Sequence, residues 1–236
     1  MTIASNLTVI RDRIATAAKR AGRDPDDIAL MAVCKTFPAE AVLEAYAAGQ
    51  RLFGENRMQE FADKYPRVAS LTDAKFHMIG HLQSNKSGKA AEIFQAVDSI
   101  DSAKLAQRLN DSAQKLGKTL DVLIEINVGG EKAKSGLAPD SPELSAILGQ
   151  APQWHNLRVR GLMTVPPYTD DPEGARPYFR RLREMRDHLN ARHLPSVVLE
   201  VLSMGMSHDF EVAIEEGSTC VRIGTAIFGE RSRNAI

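Results

Sequence analysis

The sequence predicts a single (β/α)8 barrel that spans residues 1–236. Three observations predict this fold class: strand-length apolar runs occur eight times, helical patterns separate them, and 236 residues is the length of one such barrel. The runs are almost continuously apolar, as parallel strands are when both faces of their sheet are covered. An open, doubly wound parallel sheet is the alternative fold.

Eight apolar runs are predicted as strands, and the residues that close them are unusually polar. In chain order, the predicted strands are Ile28 to Lys35, Arg51 to Glu55, Phe76 to Gly80, Ala96 to Ile100, Val122 to Asn127, Val159 to Val165, Val197 to Leu202 and Cys220 to Phe228.

The segments between the strands have the pattern of helices with one buried face. Apolar residues recur there at three- and four-residue spacing, for example Leu105, Leu109 and Leu116. An extra helix from about Thr2 to Ala21 precedes the first strand, and we expect it to plug the N-terminal end of the barrel. No linker rich in Pro, Gly or Ser divides the chain, which favours a single barrel domain of the TIM type.

The charge balance argues against nucleic acid and membranes as partners. Thirty basic and thirty acidic side chains give a formal net charge of zero, so no long-range field attracts a polyanion. No apolar run reaches the roughly 20 residues of a membrane span. Cys34 and Cys220 lie far apart without a CxxC pair, which indicates buried, reduced thiols rather than a disulfide or a zinc site. We therefore expect a cytoplasmic protein.

The functional site is expected where the strands end, because active sites of such barrels form at the C-terminal ends of the strands. Lys35 closes the first strand after the apolar run Leu30 to Cys34. Burial at the mouth of the barrel would lower the pKa of its amine and make the amine nucleophilic toward an aldehyde. A lysine at a strand end also commonly extends to solvent, so Lys35 alone does not define a site.

Two loops near the end of the chain have the composition of a phosphate site. Ser203 to Ser207 precedes a helix that extends to about Glu216; Gly205 permits a positive φ, and free amides at a helix start bind phosphate. Gly224 and Thr225 lie at the eighth strand, and loops after strands seven and eight of such barrels often share one phosphate. The alternative for Ser203 to Ser207 is an ordinary loop with a helix cap.

A further segment comes close to a nucleotide-binding motif. Gly80 to Ser87 misses the Walker A pattern GxxxxGK[ST] by one position, because Asn85 stands where the second glycine is needed. Phosphate must approach the backbone closely there, and a nucleotide-binding fold needs its own sheet topology. A nucleoside triphosphatase is therefore disfavoured.

At these segments the sequence resembles the pyridoxal phosphate homeostasis protein family, relatives of the N-terminal barrel of alanine racemase. That barrel is the fold type III barrel of enzymes that use pyridoxal 5'-phosphate (PLP). The resemblance covers nearly the whole chain, and long motifs in the same order argue against chance similarity. The segments that carry it are Ala32 to Thr36, Phe53 to Asn56 with Gln59 and Glu60, Phe76 to Lys86, Lys134 to Gly136, Arg160 to Met163, Leu202 to Ser207 and Val221 to Gly229.

The resemblance implies a cofactor site for PLP and assigns it nine residues. It implies a Schiff base on Lys35, phosphate contacts from Ser203, Ser207, Gly224 and Thr225, a position near the pyridine nitrogen for Arg222, and further contacts from Asn56, His81 and Met206. An arginine opposite the ring nitrogen donates a hydrogen bond and leaves that nitrogen unprotonated, which weakens the ring as an electron sink. Capping or polar core roles are equally compatible with Asn56 and His81.

The resemblance further implies a carrier or regulator in PLP homeostasis rather than an enzyme. Alanine racemase uses a lysine on one face of the substrate and a tyrosine from the partner subunit's β domain on the other. This sequence stops at Ile236, eight residues after Phe228, so we expect no second base and no strong catalytic activity. PLP and apo PLP-dependent enzymes are the expected partners, and a monomer is expected. Two alternatives stay open: a PLP-dependent amino-acid racemase or related enzyme, and a phosphate-binding barrel isomerase without the cofactor.

Overall fold

The computed structural model describes residues 2–131 and 135–230, which form a closed barrel of eight parallel strands. The strands are β1 Ala29–Val33, β2 Leu52–Glu55, β3 Lys75–Met78, β4 Ala96–Ile100, β5 Leu120–Glu125, β6 Leu157–Met163, β7 Val197–Ser203 and β8 Cys220–Ile223. Each strand pairs with its neighbours in chain order, and β8 pairs with β1 to close the barrel. The predicted (β/α)8 barrel is confirmed, and the open doubly wound sheet is excluded.

Helices cover the outside of the barrel. Within the described residues they are α1 Ile3–Arg20, α2 Ala39–Ala47, α3 Met58–Val68, α4 Ser87–Ile93, α5 Ala103–Lys115, α6 Pro142–Gln150, α7 Arg176–Ala191, α8 Phe210–Glu215 and α9 Thr225–Phe228. None of the helices in this part of the chain is long and apolar enough to cross a membrane.

The extra N-terminal helix is present, but the prediction that it plugs the barrel is wrong. Helix α1 packs against α2, α8 and α9 on the outside of the barrel, through a buried face that includes Leu7, Ile10 and Ile14. Strand β8 is followed only by α9, a single turn of four residues. Helix α1 therefore occupies the place of the eighth outer helix, between α8 and α2.

Two strand ends differ from the sequence prediction in a way that matters for the site. Strand β8 ends at Ile223, five residues earlier than predicted, because the backbone changes direction at Gly224 and continues as α9. Strand β1 ends at Val33, so Lys35 lies in the turn that follows the strand. Lys35 and Gly224 therefore both lie just beyond the ends of their strands, at the mouth of the barrel.

The core lies between the barrel wall and the helices as well as inside the barrel. Phe61 of α3 stacks at 4.7 Å on Phe94 and contacts Phe76 of β3 at 4.9 Å, so aromatic packing joins two neighbouring βα units. Cys34 and Cys220 are both buried, as predicted, and they are not joined in a disulfide in the structure. Leu116, by contrast, is half exposed, because it caps the C-terminus of α5 instead of lying on its buried face.

Candidate functional site

A cavity of about 370 Å³ opens at the C-terminal ends of the strands, where the site was expected. Seven of the nine predicted site residues line it: Lys35, Asn56, Met206, Ser207, Arg222, Gly224 and Thr225. The remaining lining is Val33, Phe37, Ile79, Val165, Tyr168 and His208. The cavity therefore combines one amine, one guanidinium and several hydroxyl groups within a mainly apolar wall.

Lys35 reaches the cavity from a tight turn formed by residues 34–37. The amide of Phe37 donates a hydrogen bond to the carbonyl oxygen of Cys34 at 3.2 Å, and Cys34 in turn donates from its amide to Gly54 of β2 at 3.0 Å. Thr36, the third residue of the turn, has a φ of 68°. The side chain of Lys35 thus leaves the backbone directly after the strand has been anchored in the barrel wall.

Arg222 lies in β8 and is buried, with 4% of its surface exposed. Its Nη1 donates to the carbonyl oxygen of Ser203 at 2.6 Å and to the Ser203 hydroxyl at 2.9 Å, and its Nη2 donates to the carbonyl oxygen of Thr164 at 2.8 Å. Burial lowers the pKa of this guanidinium from its ordinary value, yet an arginine stays protonated in proteins. These bonds hold a cation at the cavity wall in a fixed orientation.

The loop 203–207 is held in place by strand β8 on one side and by Asp209, just before α8, on the other. Gly205 has a φ of 96°, and its carbonyl oxygen accepts a hydrogen bond from the Arg222 amide at 2.9 Å. The amide of Met206 donates to the Asp209 carboxylate at 2.6 Å. Helix α8 begins only at Phe210, so the cavity is lined by the loop before the helix rather than by the helix start itself.

Two predicted residues lie outside the cavity lining. Ser203 is fully buried, and its hydroxyl accepts the hydrogen bond from Arg222; its contact with phosphate stays a prediction. His81 is exposed and pairs through Nδ1 with Asp101 at 3.0 Å. Lys134, which belongs to one of the recognised motifs, lies outside the described residues.

Sequence reasoning missed the loop between β6 and α7. Tyr168 lines the cavity, and its ring stacks on His208 with the ring centres 5.5 Å apart. His208 Nε2 lies 3.1 Å from the carbonyl oxygens of both Thr169 and Asp170, so the residue that follows the loop 203–207 contacts the β6–α7 loop at the cavity rim. The signal in the sequence was an aromatic residue shortly after the end of a strand, where side chains reach the mouth of a barrel.

A buried carboxyl group that sequence reasoning also missed lies at the end of β5. Glu125 accepts a hydrogen bond from the Ser135 hydroxyl at 2.9 Å through Oε1, while its buried Oε2 has no partner among the described residues. Burial raises the pKa of the Glu125 carboxyl, which favours the neutral form of this side chain in the barrel.

Comparison with known proteins places the chain in a family over almost its whole length. Residues 5–232 match the family described as alanine racemase, N-terminal domain. A pyridoxal phosphate homeostasis protein of Aquifex aeolicus (strain VF5) is 46% identical over 231 residues, which are 98% of this chain and 99% of that protein. Its namesake in Pseudomonas aeruginosa is 48% identical over 235 residues, 99% of this chain and 98% of that protein.

Solved structures agree with the sequence comparison. PipY of Synechococcus elongatus PCC7942, solved with PLP bound, is 37% identical with a TM-score of 0.83, and the match covers 97% of this chain and 100% of PipY. The chain therefore belongs to the alanine racemase N-terminal domain family, and within it to the relatives named pyridoxal phosphate homeostasis protein.

Proposed function

We propose that the chain binds PLP in the cavity at the mouth of its barrel and acts in PLP homeostasis as a carrier of the cofactor. The observation that carries the proposal is that the Lys35 amine, the Arg222 guanidinium and the loop 203–207 meet at one cavity of suitable size. The names of the relatives and the PLP bound to PipY support the same ligand.

The donor set fits PLP. A guanidinium has five N–H donors, and the three bonds of Arg222 to Ser203 and Thr164 leave donors without an acceptor in the described residues. No acidic side chain within 2–131 and 135–230 forms an ion pair with it. Because Arg222 lines the cavity, a remaining N–H can donate to a ligand there, and the nitrogen of a pyridine ring is an acceptor.

Each side of the cavity would hold a different part of the cofactor. Lys35 would bind the aldehyde, and Arg222 would donate to the ring nitrogen. Phosphate contacts are proposed for Ser207, Gly224 and Thr225, with Ser203 acting through Arg222 or directly, and contacts with the ring for Asn56 and Met206. His81 would act at the rim, through its pairing with Asp101.

The residues favour holding the cofactor over catalysis. When bound, PLP supplies an aldehyde that condenses with a primary amine and a ring that accepts electrons once its nitrogen is protonated. Arg222 does not release its proton, so it cannot protonate the ring nitrogen. We propose apo PLP-dependent enzymes as recipients and a monomeric, cytoplasmic protein; the two unpaired thiols fit a reducing compartment.

A racemase or related amino-acid enzyme is the second candidate, because Tyr168 lines the cavity. Besides Lys35, the phenol of Tyr168 is a second group that could transfer a proton. The sequence had indicated no residue for this second role.

Transfer of the cofactor tests the carrier role. The chain loaded with PLP is mixed directly with an apo PLP-dependent enzyme. We expect the activity of that enzyme to be restored at a rate that depends on the concentration of the loaded chain. Retention of all PLP by the chain would contradict delivery. Exchange of an amino acid's α-hydrogen with deuterated solvent, faster than with free PLP and lost in Tyr168→Phe, would favour the second candidate instead.

A further inference from the structure

The turn that presents Lys35 has an unfavourable backbone conformation. Thr36 adopts a φ of 68°, a left-handed conformation that is uncommon for residues other than glycine and is a genuine outlier for a β-branched side chain. Such a conformation persists only where the surroundings enforce it, and it points to a functional constraint. Residues outside the turn must therefore hold it in place.

Two side chains from α3 hold the peptide groups on both sides of Lys35. Lys64 donates from Nζ to the carbonyl oxygen of Cys34 at 2.9 Å. The Glu60 carboxylate accepts a hydrogen bond from the Thr36 amide. The residues immediately before and after Lys35 are thus both bonded to charged groups of the next βα unit.

The carboxylates of Glu55 and Glu60 lie around the Lys64 amine. Its side chain is only 6% exposed and lies 2.6 Å from Glu55 Oε1 and 3.6 Å from Glu60. The same oxygen of Glu55 is 3.2 Å from the Cys34 thiol, while Glu55 Oε2 is buried without a partner among the described residues. Replacing a buried ion pair by apolar side chains of similar volume is often neutral or stabilising, which points to a role beyond stability for the pair of Lys64 and Glu55 next to Lys35.

We propose that Glu60 and Lys64 are positioning residues for Lys35: they fix the turn 34–37 so that the Lys35 amine faces the aldehyde of a ligand in the cavity. The inference rests on the proposed function, because it assumes that Lys35 is the attachment point. In the step concerned, the neutral amine of Lys35 forms a bond to the aldehyde carbon, a C=N bond replaces the C=O bond, and one water molecule leaves. No oxidant or reductant is required.

Two ligands separate positioning from general damage. PLP and pyridoxine 5'-phosphate share the ring and the phosphate, but pyridoxine 5'-phosphate has an alcohol in place of the aldehyde and cannot form the C=N bond. Glu60→Ala removes the acceptor for the Thr36 amide, while Glu60→Gln keeps a carbonyl oxygen there. Glu40→Ala is the matched control, because Glu40 pairs with Arg67 on the exposed surface of the same region.

We expect Glu60→Ala to slow formation of the visible absorbance band with PLP and to weaken PLP binding by about tenfold, with affinity for pyridoxine 5'-phosphate changed less than about twofold. Glu60→Gln and Glu40→Ala are expected to behave like the unmodified chain. Lys64→Met should show the same split as Glu60→Ala, with a larger loss of thermal stability because Glu55 loses its partner.

Three results would overturn the proposal. An equal loss of affinity for both ligands in Glu60→Ala would assign the cluster a purely structural role, and unchanged band formation would show that it has no influence on Lys35. Failure of the unmodified chain to form the band would overturn the proposed function, and the positioning role with it. Glu60 is partly exposed, so we expect Glu60→Ala to fold. The test therefore gives an answer even if Lys64→Met does not fold.

Discussion

Replacing Lys35 by alanine is expected to abolish the visible absorbance band that forms when the chain is mixed with PLP. Among the described residues Lys35 is the one lysine that lines the cavity. The nearby Lys64 cannot substitute for it, because its amine is bound to Glu55 at 2.6 Å and to the Cys34 carbonyl oxygen at 2.9 Å. We expect affinity for PLP to fall by about a hundredfold, since only the phosphate and ring contacts remain.

A second lysine variant provides the control for this experiment. Lys86 is exposed, directly precedes α4 and does not line the cavity, so Lys86→Ala should keep the band and the affinity of the unmodified chain. Spectra and equilibrium dialysis of both variants measure the difference. A band of normal intensity in Lys35→Ala would place the covalent attachment elsewhere.

Gly205→Ala is expected to reduce both the stability of the barrel and its affinity for PLP. Gly205 has a φ of 96°, and an added Cβ would lie 2.6 Å from the Ala213 Cβ and 3.0 Å from the Phe210 Cα. Ala213 and Phe210 belong to α8, so the loop 203–207 must move away from that helix. Overpacking combined with an unfavourable backbone conformation should lower the free energy of unfolding by about 2 to 4 kcal/mol.

Gly117→Ala separates the effect of overpacking from the effect of the unfavourable backbone conformation. Gly117 also has a positive φ, 64°, but no atom lies within 4 Å of an added Cβ, so only backbone strain of about 1 kcal/mol is expected. Urea unfolding gives the stability of each variant, and a PLP titration gives the affinity. Equal stabilities for the two variants would contradict the close approach of α8 to the loop, and normal PLP affinity in Gly205→Ala would contradict its place in the phosphate site.

The barrel was predictable from the sequence because its strands are buried on both faces. Each strand is therefore a nearly continuous apolar run, and eight such runs separated by helical patterns leave few topologies. The position of α1 was not predictable in the same way. An amphipathic helix has a buried face wherever it packs, and only the short α9 after β8 shows that a place in the outer ring needed to be filled.

The general position of the site was also predictable, because strands of a parallel barrel all end on one side. That rule brought Lys35, Ser207 and Gly224 together before any contact was known, whereas the place of Arg222 came from the family resemblance. It could not show that Ser203 supports Arg222, because this depends on the register of two strands. Ser203 pairs with Cys220, which places Arg222 two residues further along β8, where its side chain reaches back to the end of β7.

Glu60 and Lys64 illustrate what sequence patterns miss. Charged residues on a helix are read as its solvent face, and nothing local indicates that α3 packs with this face against the turn after β1. The contact depends on how neighbouring βα units are placed in the barrel wall. The unusual backbone of Thr36 has no sequence signal either, because threonine rarely adopts it.

Reductive trapping tests the central claim most directly. The chain is incubated with equimolar PLP, treated with sodium borohydride so that any C=N bond becomes a stable C–N bond, and digested for peptide mass mapping. We expect one phosphopyridoxyl group per chain, carried by the peptide that contains Lys35. Labelling of another lysine, or of many lysines equally, would contradict a built PLP site at the mouth of the barrel.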